Sequence, residues 1–233
     1  GAFVAASSPA VFAAGLRAAL SAIDQRTSSY SNVATNLVSL DSGAQVFNAS
    51  YTAGVWTGAV NARAVSDAGV SETISWSASI PASGRNVWTS NGTSLVSFLT
   101  STQATALARP AGASELYPVS SADNAAYING DQNNEESKGG TLRNRNSLLG
   151  DIVGSSPAYV KDTNTLYVGA NDGMLHAFNA ADGADGGKEI FAYIPNIIDW
   201  NALKSYSSGE YSHQFFVDGP IVVSNRSLTS SKN

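Results

Sequence analysis

Histidine is the side chain best suited to proton transfer and metal binding near neutral pH, and this chain has two, His176 and His213. They are far apart in sequence, and no cysteine accompanies them. A buried transition-metal site draws on a larger set of nitrogen and sulfur ligands. His176 lies on a strand and alternates away from Leu175 and Ala177, while His213 precedes Phe215 and Phe216; both read as packing or surface residues. A second group is acidic. Asp131, Asn133 and Glu135, with Glu136, offer oxygen ligands at alternate positions, as a calcium loop does. The glycine and the distal bidentate glutamate of an EF-hand loop are missing, so the stretch also reads as a solvated acidic loop. Asp151 follows Gly150 and precedes a strand, which suits a turn carboxylate bonding the backbone of Ser155 or Ser156. Those serines lie outside a G-x-S-x-G elbow and have no base nearby. Gly169, Gly173 and Gly183 do not form a phosphate-cradling loop before a helix.

The composition narrows the setting for such residues. Of 233 residues, 43% are hydrophobic and only 13% charged, about half the usual charged share. Four Trp, nine Tyr and eight Phe supply large apolar groups that a disordered chain lacks. The net charge is −5, with no cluster of Lys and Arg, which disfavours nucleic-acid binding through phosphate neutralisation. The absence of cysteine excludes disulfides, thiolate zinc sites and cysteine nucleophiles. No apolar run approaches the roughly 20 residues of a membrane helix. The opening Gly1-Ala2-Phe3-Val4 lacks the basic start and long apolar core of a secretory signal, and both ends read as cuts inside a longer protein.

The elements that position these residues are mostly strands. A helix is predicted after Ser8 and Pro9, with Phe12, Leu16, Leu20 and Ile23 on one stripe, fading near residues 25–27. From Gln45 the period becomes two, through Val60. Strands are expected at 73–77 and 87–98, the latter split into a hairpin by Ser90-Asn91-Gly92. Residues 101–126 give weak signals, with a short helix over 104–108, and 129–140 reads as a loop. Strands return at 158–160, 165–169, 174–178 and 189–194, then at 215–217 and 221–223. Trp56, Trp88, Leu166, Tyr167, Val168, Leu175, Phe178, Phe191 and Tyr193 are expected to be largely buried between sheets.

A faint repeat runs through this pattern. Gly58-x-Val60-x-Ala62 leads to Asp67, and Gly173-x-Leu175-x-Ala177 leads to Asp182 at the same spacing. Repeated strand–turn units mark propeller blades, although a generic sandwich of hairpins reads the same way at this level.

The run from Leu166 to Gly183, with its Asn171-Asp172-Gly173-Met174-Leu175-His176-Ala177-Phe178 core, resembles a quinoprotein-like propeller blade. The wider order is more specific. Arg143-Asn144-Arg145-Asn146 leads into Gly150-Asp151-Ile152-Val153-Gly154-Ser155-Ser156-Pro157, then the hairpin, Phe191 to Pro195, and His213 to Gly219 with its Asp218-Gly219 pair. In this order and spacing the chain resembles the PilY/PilC family of type IV pilus biogenesis factors and pilus-associated adhesins. The resemblance is strongest from Gly130 to Gly219 and fainter upstream, at Trp56-Thr57-Gly58 and Arg85 to Trp88.

The resemblance implies a mainly β fold, part of a quinoprotein-like β-propeller with a short N-terminal helix. Residues 1–28 would end an upstream von Willebrand A-like domain. Residues 29–140 would form the first blade or blades, and 141–233 the blades carrying the Asp-Gly-x-Leu-x-Ala-Phe motif. The implied function is non-enzymatic: pilus assembly, opposition to retraction, twitching motility and surface adhesion, by an exported protein at the cell surface, pilus tip or outer membrane and periplasm of a Gram-negative bacterium. Pilins or minor pilins are the implied partners, with host or abiotic surfaces as adhesion targets. No cofactor is implied for this stretch; the family's calcium loop usually lies in later blades. Two other readings share the blade signature: a pyrroloquinoline-quinone dehydrogenase and a periplasmic scaffold for outer-membrane assembly.

Overall fold

The computed structural model describes residues 29–35, 44–112 and 115–224. The helix predicted from Ser8 onward lies outside the described residues. Within them the protein is mainly β, built as two open sheets and a small helical layer.

The first sheet is β1 (Ser29–Thr35), β2 (Gln45–Thr52), β3 (Thr57–Ser66), β4 (Gly69–Val70) and β5 (Trp76–Ser77). β2 alternates as expected, with Gln45, Phe47 and Ala49 turned inward. Its antiparallel register on β3 sets Phe47 opposite Ala62 and Ala49 opposite Val60, so large meets small across the pair. The β2–β3 turn holds Trp56 at φ 52°, a left-handed conformation rare for a bulky side chain.

The second sheet has six strands. β8 (Ala158–Val160), β9 (Thr165–Gly169), β10 (Leu175–Asn179) and β11 (Glu189–Ile194) form a four-stranded antiparallel meander. β6 (Val87–Ser90) and β7 (Leu95–Ser97) are the predicted hairpin. Asn91 closes it, its Oδ1 accepting the amides of Thr93 and Ser94. Phe98, expected in the strand, instead opens a 3₁₀ turn and is fully buried. The pairing of β6 on β11 is parallel, where only antiparallel hairpins were expected. The chain from Ser79 to Ser90 runs alongside β11, with Ser79 N bonding Gly187 O and Ala192 N bonding Asn86 O. Strands from before and after residue 140 therefore share one sheet.

Three short helices complete the layer: α1 (Thr102–Thr105), α2 (Ser121–Ile128) and α3 (Trp200–Lys204). Each has a capping side chain, from Ser101, Ser120 and Asp199 respectively. α2 is the longest, and Ser120 Oγ accepts the Asp123 amide at 3.1 Å. Replacing Ser120 by alanine orphans that amide and is expected to cost about 1 kcal/mol. Urea unfolding at constant slope measures it, and a loss below about 0.2 kcal/mol removes the cap from the account.

One face of the second sheet carries both cores. Beneath β9 and β10, Leu166, Val168 and Phe178 pack on Phe47, Val60 and Trp76 of the first sheet. Beneath β6 and β11, Val87, Ala192 and Ile194 pack on Leu107, Tyr127 and Leu203 of the helical layer. Of the nine residues expected to be largely buried, Leu166, Val168 and Phe178 are. Trp56, in its turn, is half-buried. Trp88, Tyr167, Leu175, Phe191 and Tyr193 are also half-buried, because the cross-strand register places them on the opposite face of the sheet.

Candidate functional site: a buried charge chain and the segment strapped over it

β10 turns His176 inward beside Phe178, on the far side of the strand from Leu175, and this is the side that meets the core. The ring is 0% exposed and lies parallel to Phe178 at 5.7 Å. Glu189 reaches it from β11 through a bulge. Ala177 pairs with Phe191, but Phe178 pairs with Glu189, so Ile190 is skipped and left 43% exposed. The extra residue re-aims Glu189 to the buried face.

The result is a chain of four charged groups between the two cores. Arg85 Nε donates to Glu189 Oε2 and Nη2 to Oε1, each at 2.7 Å. Glu189 Oε1 lies 2.8 Å from His176 Nδ1, and Asp172 Oδ2 lies 3.0 Å from His176 Nε2. Asp172 also accepts the amides of Gly150 (2.9 Å) and Met174 (3.1 Å). Arg85 and Glu189 side chains are 1% exposed, His176 0% and Asp172 4%. At that burial a lone charge is costly, so each requires its partner. Burial alone lowers the basicity of His176, but the Asp172 charge and the hydrogen bonds to Asp172 and Glu189 raise its pKa to about 9. Burial likewise pushes Glu189 up, and the hydrogen bonds from His176 and Arg85 overcome it and hold the carboxyl at about 2. The imidazolium, donating from both nitrogens, is the form that fits.

A second histidine–aspartate pair sits beside the first. Asp151 Oδ2 accepts from Asn171 Nδ2 and meets His213 Nε2, both at 2.8 Å. Where a turn bond to Ser155 or Ser156 was expected, this carboxylate oxygen serves Asn171 of the facing turn and His213. His213 stacks on Trp56 with ring centres 3.7 Å apart. It begins an irregular segment strapped over the β9–β10 turn, where Asn171 Oδ1 accepts the Phe216 amide and Asp218 Oδ1 accepts the Gly154 amide. Gly169 permits this approach: a Cβ there would meet the Val217 carbonyl oxygen at 2.5 Å.

Of the motif residues singled out in the sequence, Gly150, Asp151, Asp172 and Gly173 meet at this turn, and Ser155 lies beside it, its Oγ accepting the Gly169 amide at 3.0 Å. Pro157 is buried and Ser156 exposed. Asp182 bonds Gln45 Nε2 at the rim of the first sheet, while Gly183 and Gly219 are at the surface. The calcium candidates do not converge. Glu135 is buried against Arg145 at 2.8 Å, Asp131 Oδ1 accepts the Asn133 amide, and Asn133 faces solvent. No group of three or more His, Cys, Asp or Glu suited to a metal occurs among the described residues. Sequence reasoning gave no site role to Arg85, Glu189, Asn171 or Trp56. Only a bulge prediction could have turned Glu189 inward.

No helix among the described residues is long and apolar enough to cross a membrane. No family model matches the chain, and no solved structure matches it. Curated relatives do. The chain is 32% identical over 219 residues to a type IV pilus biogenesis factor PilY1 homolog of Xylella fastidiosa, covering 82% of this chain and 17% of that protein. It is 36% identical over 130 residues to type IV pilus biogenesis factor PilY1 of Pseudomonas aeruginosa strain PAK, covering 43% of this chain and 11% of that protein. The chain thus spans less than a fifth of the length of these relatives. By this likeness, the chain belongs to the PilY1 family of type IV pilus biogenesis factors.

Proposed function

We propose that this chain contributes early blades of a β-propeller to a non-enzymatic type IV pilus factor. That factor acts in pilus assembly, opposition to retraction, twitching and adhesion at the bacterial surface. The observation that carries the propeller reading is the β8–β11 meander, whose inner face is covered by a second sheet. The outer face of the sheet presents Tyr167, Leu175, Phe191 and Tyr193 from the meander and Trp88 from β6, and beside them a groove of about 370 Å³ opens between Leu175, Tyr193, Ile198 and Phe216. A further blade packing on that face buries it. The pilus reading rests on the relatives' names. Pilins or minor pilins are the partners in this reading, and a host or abiotic surface is the adhesion target. Any calcium of the whole protein is assigned to blades beyond this stretch, since Glu135 is committed to Arg145.

Deleting the parent gene is expected to abolish surface pili or twitching, scored by electron microscopy and by subsurface motility. Normal piliation together with normal motility in the deletion strain would overturn the reading. Quinone-dependent dye reduction by the purified protein would overturn its non-enzymatic part.

A further inference from the structure

The chain from Arg85 to Asp172 does more than fill a polar gap. It crosses the molecule. Arg85 Nη1 donates to Asn129 O at the end of α2, at 3.0 Å. Asp172 holds Gly150 N, and the adjoining Leu149 O accepts the Gly58 amide of β3 at 3.0 Å. A continuous line of hydrogen bonds therefore runs from the helical layer, through β11 and β10, to the first sheet. His176 is its middle link and the one member with a proton to lose at moderately alkaline pH.

We propose that the seam between the two cores is a proton-held clamp. Protonated on both nitrogens, His176 ties the Asp172 turn and the Gly150 loop to Glu189 and Arg85; loss of one proton releases the loop side first. With His176 charged, Arg85 and His176 balance Glu189 and Asp172. Once His176 is neutral, Arg85 still neutralises Glu189, and the unbalanced charge rests on Asp172. An unpaired buried carboxylate draws water, and the loop bonded to it must open to admit that water.

The groups around His176 set the range. Asp172 faces it from the turn before β10, Glu189 from β11, and Arg85 stands behind Glu189. Tyr206 and Tyr211 also feel the Asp172 charge, and Arg143 is stacked on both rings at 4.6 Å. Burial above all holds Tyr211 up to about 12 and Tyr206 higher still, so both stay neutral while His176 titrates. The Asp151–His213 pair engages the strap rather than His176. The His176 pKa is raised from 6.5 to about 9, so its contribution is complete below pH 6.5 and disappears as pH rises through about 9. Glu189 is depressed from 4.5 to about 2, so its contribution is complete above pH 4.5 and disappears as pH falls through about 2. The clamp is fully closed between these limits.

The test uses the whole chain with ring-labelled histidine. In nuclear magnetic resonance, His176 should titrate near pH 9. Exchange protection of the Gly150 and Met174 amides, corrected for intrinsic rates, should fall through that titration earlier and further than that of the β2–β3 amides, whose loss is limited to the change in global stability. The folded-to-unfolded ratio from urea titration should drop on the order of 100-fold between pH 6.5 and 9.5. His176→Phe should lose the alkaline step, and Asp172→Asn should move the ring's midpoint towards 6.5. A wild-type midpoint near 6.5, or uniform loss of protection across both sheets, overturns the proposal. So does an alkaline step that persists in His176→Phe. Should His176→Phe fail to fold, the wild-type titration and exchange pattern decide alone.

Discussion

Arg85→Ala is expected to destabilise the protein by about 3–5 kcal/mol in urea unfolding at pH 7, because it leaves the Arg85 side of the buried Glu189 carboxylate without its bidentate cation. The ion pair is bidentate and both side chains are 1% exposed, so solvent does little to screen it. The loss is specific to an uncompensated charge. Arg85→Met combined with Glu189→Gln removes both charges and should recover a large part of the stability, since replacing a buried pair costs far less than breaking it. The single variant should also fail earlier in acid. With Arg85 gone, one of the bonds that hold the Glu189 carboxyl low is gone, and its protonation moves to higher pH. A cost under 1 kcal/mol for Arg85→Ala, with an unchanged acid limb, would show that water reaches Glu189 and that the seam is not dry. Against a total stability of about 5–15 kcal/mol for a natural domain, the expected loss decides whether the chain folds at 37 °C.

The sequence disclosed strands better than faces. Turn residues were plain: Asn91-Gly92, Asn164 and Asp172-Gly173 close the hairpins that the structure contains, and Gly92, Asn164 and Gly173 all take positive φ. The period of two read on β2 holds, because that strand has one buried face and a regular partner. It misled on β10 and β11 because both faces there carry apolar residues, so periodicity alone does not say which face meets the core. The bulge at Ile190 then reverses Glu189 relative to Phe191. The parallel contact of β6 with β11 joins segments about a hundred residues apart in the chain, and no local propensity encodes it. The site was half legible. Gly150, Asp151, Asp172 and Gly173 stood out as turn residues, and they do gather at one turn. Their charged partners did not stand out, because Arg85 and Glu189 look like any solvated pair until the fold removes their water.

Phe178→Ala is expected to cost about 3–5 kcal/mol, and its site explains why the loss should not be confined to packing. Phe178 is 0% exposed and belongs to the cluster in which the second sheet meets Phe47 and Trp76 of the first. Opposite it on β9 stands Leu166, also 0% exposed, so the surrounding strands have little freedom to collapse into the space. The ring also backs His176 in parallel at 5.7 Å, and its removal admits space beside a buried imidazolium. Two consequences separate this residue from an ordinary core phenylalanine. Combined with Phe47→Ala, its cost should be non-additive by about 0.5–3 kcal/mol, since both variants empty one cluster. The His176 titration should also shift down from about 9 in Phe178→Ala, because water entering beside the ring weakens its attraction to Asp172 and Glu189. Phe178→Leu, which nearly conserves volume, should cost less than about 1.5 kcal/mol and leave the titration in place. Strict additivity with Phe47→Ala and an unmoved His176 midpoint would mean that the sheet-to-sheet core and the charge chain are independent. The seam would then be two separate contacts rather than one coupled unit.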